Sequence, residues 1–193
     1  KRKKTGIPWQ GGENLSIAIG QGYNLVTPIQ MLGLVAAVGN GGVRYRPQIL
    51  KRIENTQGDV VRSESPTEAA RIEFSEKTME LVRRGLWETV NTVGGTAFRS
   101  RWSAVDISGK TGTAQVVGRK EDETADDQEE VAHHHKDHGW LLAYAPSEEP
   151  KIAVAVIVEH GEHGSSTAAP IARAMIETYL GGKSGGQKLA KRE

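Results

Sequence analysis

An α+β fold, with helices packed on an antiparallel sheet, is predicted for this 193-residue sequence. Three observations carry that prediction: a capped apolar helix early on, three strand-like stretches between residues 105 and 159, and a closing helix opened by Pro170. Hydrophobic residues make up 37% of the chain and charged ones 25%, which suits a globular protein. No apolar run reaches the roughly 18 residues of a membrane helix. The formal charge of +1 leaves no nucleic-acid footprint, and the absence of cysteine excludes disulfides and thiolate chemistry.

The opening "KRKKTGIPWQ" is basic but has no apolar stretch after it, so it is no signal peptide, and residues 1–13 are expected to form a basic loop. In "TPIQMLGLVAAVGNGG", residues 27–42, Thr27 can cap, Pro28 suits the first helical position, and Gln30 completes a capping box. Ile29, Met31, Leu32, Leu34, Val35 and Val38 cover most of that surface, which predicts a helix buried all round. An exposed hairpin should follow, turning at Gly58-Asp59. From Ser75, the spacing of Met79, Val82, Leu86 and Val90 gives an amphipathic helix that Gly94-Gly95 ends.

Residues 105–117, 140–145 and 151–159 are the strand candidates, the last two joined by a polar turn between Pro146 and Pro150 that makes them an antiparallel hairpin. Residues 119–138 hold eight acidic and three basic residues, so a solvated excursion is expected over 118–138. In the closing helix Ile171, Met175, Tyr179 and Leu180 form the apolar stripe. The Gly-rich stretch 181–193 is expected to be a disordered tail.

Chemistry concentrates in "SGKTGTAQVV", residues 108–117. As a P-loop it would need a glycine at position 104, which is Ala104, and a helix after Lys110, where no helical stripe exists. As a strand it places Lys110 and Gly112 on one side and Thr111 and Thr113 on the other. At a sheet edge a cation and hydroxyls suit a carboxylate, a backbone N–H suits an oxyanion, and Gly112 admits close approach.

The segments "SIAIGQGYNLVTPIQMLGLVAAVGNGG", "VGGTAF", "ISGKTGTAQ", "HGWLLAYAP" and "KIAVAVIVEHG" decide between the two. In this order they resemble the C-terminal part of the transpeptidase domain of class B penicillin-binding proteins, elongation type, over residues 14–180. The resemblance implies a serine β-lactamase-like fold and a D,D-transpeptidase that cross-links peptidoglycan stem peptides and is acylated by β-lactams. It implies no cofactor. That family uses S-x-x-K, S-x-N or S-x-D, and K-T-G. No Ser stands three before any Lys, or two before any Asn or Asp, so this sequence holds the third motif alone.

The chain is therefore expected to be the C-terminal portion of a longer enzyme and inactive by itself. Its partners would be the N-terminal remainder of its own domain, stem peptides, β-lactams, and a membrane glycan polymerase with the elongation machinery. Its place would be the outer, periplasmic face of the inner membrane, through an anchor outside this sequence. By resemblance Lys110 is catalytic, Thr111, Gly112 and Thr113 bind the substrate terminus, and the Thr113 N–H completes the oxyanion hole. A non-catalytic sensor or scaffold of the same fold, and a β-lactamase, are the alternatives. His133, His134, His135 and His138 with Asp137 offer zinc-type ligands, but their spacing fits no closed tetrahedral site, and no metal is assigned. Gly20-Gln21-Gly22 reads as turn chemistry. His160 and His163 are expected at the turn after the last strand and receive no role.

Overall fold

The computed structural model describes residues 2–116 and 133–181. The chain opens with a helical turn, α1 (Arg2–Thr5), and a short helix, α2 (Gly12–Ala18), so residues 1–13 are not the uniform loop expected. A helix follows in α3 (Pro28–Gly39), capped as the sequence predicts. Thr27 accepts from the Gln30 N–H while the Gln30 side chain accepts from the Thr27 N–H. Burial of α3 grows toward its C-terminal end: Val35, Ala37 and Gly39 are buried, whereas Ile29 near its start and Leu34 are about half exposed. The expected burial all round is thus reached only in the second half of the helix, and its first turn is exposed among the described residues.

Four short strands lie outside the main sheet. The expected hairpin is β2 (Arg52–Glu54) with β3 (Val60–Ser63), turning at Gly58. Around it β1 (Val43–Tyr45) pairs with β4 (Glu68–Arg71), a second antiparallel ladder that too few alternating residues announced. Ser75 then caps α4 (Glu76–Asn91), accepting from the Thr78 N–H.

The main sheet is antiparallel, in the order β5 (Ser108–Ala114), β6 (His138–Ala145) and β7 (Ile152–Val158). The ends of β5 are shorter than the predicted 105–117. Pro146–Pro150 joins β6 to β7 as expected. On one face Leu141, Ala143 and Ala145 meet Val154 and Val156 and the buried side of α5 (Ala168–Leu180). The alternate residue Tyr144 faces the other way, against Gly39 of α3, where a Cβ would come 3.1 Å from the ring. The sheet is thus sandwiched between α5 and α3, with α4 along β5.

The buried stripe of α5 is Ala168, Ala169, Ala172 and Ile176. Ile171, Met175 and Tyr179 lie about half exposed, so the predicted stripe is corrected, Leu180 alone of it packing on the core. Small residues let the helix axis approach the sheet, and Ile176 anchors it. The helix also begins two residues before Pro170. Most of the excursion and of the tail lies outside the described residues. The described part, 133–138, is a 3-10 turn at His133–His135 leading into β6, which starts at His138.

Candidate active site

Lys110, Thr111, Gly112 and Thr113 lie together on β5, an edge of the sheet among the described residues. Their partners across the ladder are Leu142, Leu141, Trp140 and Gly139. Facing residues share a side of the sheet, so Lys110 and Gly112 stand on the α3 side and Thr111 and Thr113 on the α5 side. This is the division the strand reading required.

Backbone directions follow from two side-chain contacts. The Gln21 amide donates to the Thr113 carbonyl at 2.8 Å, and the Lys110 Nζ donates to the Thr111 carbonyl at 2.8 Å. Both carbonyls therefore point away from β6. In an antiparallel strand a residue's N–H and C=O point to the same side. The Thr111 and Thr113 N–H groups consequently face the free edge.

The Thr111 hydroxyl is placed as well. Thr111 Oγ1 lies 2.8 Å from Thr96 Oγ1, in the loop after α4. That loop is fixed by Asn91, whose side-chain amide donates to the Trp87 and Ile107 carbonyls at 2.8 and 2.9 Å. Lys110 is exposed and Thr113 is exposed, while Thr111 and Gly112 are half-buried. The Lys110 cation, the Thr111 hydroxyl and the outward N–H groups thus lie along one edge that solvent reaches, donors of the kind that suit a carboxylate or an oxyanion.

Behind this edge the packing is tight. Gly164 follows the turn after β7, and a Cβ there would lie 2.0 Å from the Trp140 carbonyl oxygen and 2.8 Å from that of Gly112. The turn is pinned by His138, whose Nδ1 accepts from the His160 N–H at 3.0 Å, and by Asp137, whose carbonyl accepts from the Glu162 N–H at 2.8 Å. His138 and His160 stack edge to face with ring centres 4.9 Å apart. His160 and His163 thus sit at the turn, as the sequence suggested. Among the described residues no group of three or more His, Cys, Asp or Glu is arranged to hold a metal ion.

A cavity of about 700 Å³ lies elsewhere, between α4 and the start of β5, lined by Phe74, Met79, Trp87, Ser108 and Tyr144 among others. Lys110, Thr111 and Thr113 do not line it. Trp87 is a wall of this cavity, its indole N–H donating to Asp106 at 2.9 Å, and Tyr144 is buried. Sequence reasoning missed Gln21 and Thr96 as partners of the strand. "GQG" and "GGT" were visible, but a side-chain bond across 92 residues has no periodicity to betray it.

An antiparallel sheet between α3 and α5, with a Lys-Thr-Gly strand at its edge, is an α+β portion of the penicillin-binding transpeptidase fold. The model of the penicillin-binding protein transpeptidase domain matches residues 2–177, and the chain belongs to that family. Within it the chain is a transpeptidase-domain portion of a class B protein of the penicillin-binding protein 2 type. It is 37% identical over 186 residues to the peptidoglycan D,D-transpeptidase MrdA of Haemophilus influenzae, covering 93% of this chain and 28% of that protein. With MrdA of Escherichia coli K12 it shares 32% over 182 residues, 94% of this chain and again 28% of the relative. The chain thus spans somewhat over a quarter of these curated relatives.

Among solved structures, Pseudomonas aeruginosa PBP2 in complex with WCK 5153 superposes with a TM-score of 0.73 at 34% identity, covering 96% of this chain and 37% of that one. The Helicobacter pylori PBP2 in complex with MreC gives 0.68 at 30% identity, covering 94% and 30%.

Proposed function

We propose that this chain is the Lys-Thr-Gly half of a peptidoglycan D,D-transpeptidase, active only with the remainder of its domain. The observation that carries the reading is the outward-facing Thr113 N–H beside Lys110 on a free strand edge, in a member of the transpeptidase family. In the intact protein a serine from the missing S-x-x-K motif attacks the penultimate D-Ala carbonyl of a donor stem peptide. The bond to the terminal D-Ala breaks, its amine leaves with a proton, and an acceptor amine then displaces the serine.

Lys110 lies at the cleft floor and favours proton transfer toward the leaving amine. Thr111 and Thr113 hold the terminal carboxylate, and the Thr113 N–H shares the oxyanion with the nucleophile's own N–H. A β-lactam enters by the same contacts and stays as an ester. The free edge of β7 and the apolar faces beside it receive the N-terminal remainder of the domain. The intact protein works on the periplasmic side of the inner membrane, with a glycan polymerase and an elongation scaffold such as the MreC seen with the Helicobacter relative. No helix among the described residues is long and apolar enough to cross a membrane.

The test is transpeptidation itself: the intact protein, given lipid-linked or soluble pentapeptide donors and an acceptor amine, should release D-Ala and form the cross-linked product. Release of D-Ala with water as the sole acceptor would indicate a carboxypeptidase or β-lactamase-like hydrolase instead. No release would point to a non-catalytic scaffold.

A further inference from the structure

Residues 19–22 turn the chain from α2 toward α3, and the turn is built to aim one side chain. Gly20 at φ 78° and Gly22 at φ 72° flank Gln21, in the left-handed region glycine adopts without strain. The Gly20 N–H donates to the Ile17 carbonyl at 2.9 Å and the Gln21 N–H to the Ser16 carbonyl at 2.8 Å, which ties the turn to α2. At Gly22 a Cβ would press to 3.3 Å on Ser16 Cβ. From this fixed base the Gln21 amide reaches the Thr113 carbonyl at 2.8 Å.

An edge strand has a neighbour on one side only. At Thr113 the ladder partner across β6 does not hold the outward carbonyl, and Gln21 does. The N–H of the same residue faces the same edge; it belongs to the preceding peptide unit and is joined to that carbonyl through the two backbone torsions of Thr113, so a bond that holds the carbonyl restrains those torsions. A misplacement of about 1 Å in a reacting geometry can cost roughly 100-fold in rate.

We infer that Gln21 is a positioning residue: by donating to the Thr113 carbonyl it fixes the direction of the Thr113 N–H toward the developing oxyanion. The inference rests on the proposed role of that N–H, and it assigns a purpose to the Gly20-Gln21-Gly22 turn beyond chain reversal.

The experiment uses the intact protein as wild type, Gln21→Leu, Gln21→Glu and Lys110→Ala. Rapid mixing with a penicillin separates the acylation rate constant from the preceding Kd, and infrared difference spectra of the carbonyl-labelled penicillin report hydrogen bonding to the acyl-ester oxygen. Gln21→Leu should slow acylation by about 10- to 100-fold with little change in Kd, and shift the ester carbonyl to higher frequency. Gln21→Glu should be equally slow at neutral pH, where a carboxylate has no proton to donate. Relative to wild type it should recover as pH falls toward about 4, where the protonated carboxyl can donate.

A residue that only supported the fold would show no such acid recovery. Should Gln21→Leu fail to fold, the Glu variant decides: no recovery on acidification overturns the inference. Wild-type rates and an unshifted carbonyl in both variants, with Lys110→Ala inactive, overturn it while leaving the site reading intact. Normal acylation by Lys110→Ala would instead remove the site reading on which it rests.

Discussion

Gly164 and Thr96 show how closely the residues around β5 constrain it. A methyl group at position 164 has no room between the Trp140 and Gly112 carbonyls, so Gly164→Ala must push the turn off the strand. Overpacking of this kind costs about 1–3 kcal/mol. We expect the intact variant to melt lower and, because Gly112 moves, to acylate more slowly; an unchanged melting temperature and rate would show that the turn yields freely. Thr96→Val removes the partner of the Thr111 hydroxyl, a bond worth about 1 kcal/mol net. Its effect should be a severalfold weaker Kd for penicillin, read from the same rapid-mixing traces. The residues of the Lys-Thr-Gly strand were legible because strand alternation fixes sides by sequence position alone. Gln21 and Thr96 were not, since each acts through one hydrogen bond to a residue distant in sequence.

Among the elements, α3 depends on both of its ends. Thr27 and Gln30 close the first, as the sequence spelled out. At the other end Arg83, from α4, donates through Nε to the Val38 carbonyl at 3.0 Å and through its terminal nitrogen to the Gly39 carbonyl. A cation on the last carbonyls of a helix satisfies unpaired acceptors and complements the helix dipole. Arg83→Met should destabilise the intact protein by about 1–2 kcal/mol, measured by denaturant unfolding, and no loss would show that water replaces the guanidinium. For α5, Ile176→Ala opens the core and should cost about 2–5 kcal/mol in the same assay. The sequence misassigned that helix because hydropathy ranks Ile171, Met175 and Tyr179 above alanine. The sheet selects the side that can come close, and an alanine face with one isoleucine comes closest.

On the scale of the whole molecule, the described residues leave much apolar surface uncovered. Leu15, Ile19, Leu25 and Ile49 are more exposed than buried, as are Phe74, Val61 and Tyr179, and β7 ends the sheet with an unpaired apolar edge. Edges and patches of this kind recruit other chains. The 193-residue chain made alone should therefore aggregate, and stay in solution when produced together with the rest of its domain; a sharp cooperative melt from a monomer would contradict this. The general architecture was legible from capping, alternation and the Pro-bounded turn, and the β1–β4 ladder was not, because three or four residues give no countable period.

Acylation tests the central claim most directly. A fluorescent penicillin should label the intact protein, label its Lys110→Ala variant about 100- to 1,000-fold more slowly, and leave the 193-residue chain unlabelled. Equal labelling of the wild type and the Lys110→Ala variant, or no label on the intact protein, would contradict a serine transpeptidase built around this strand.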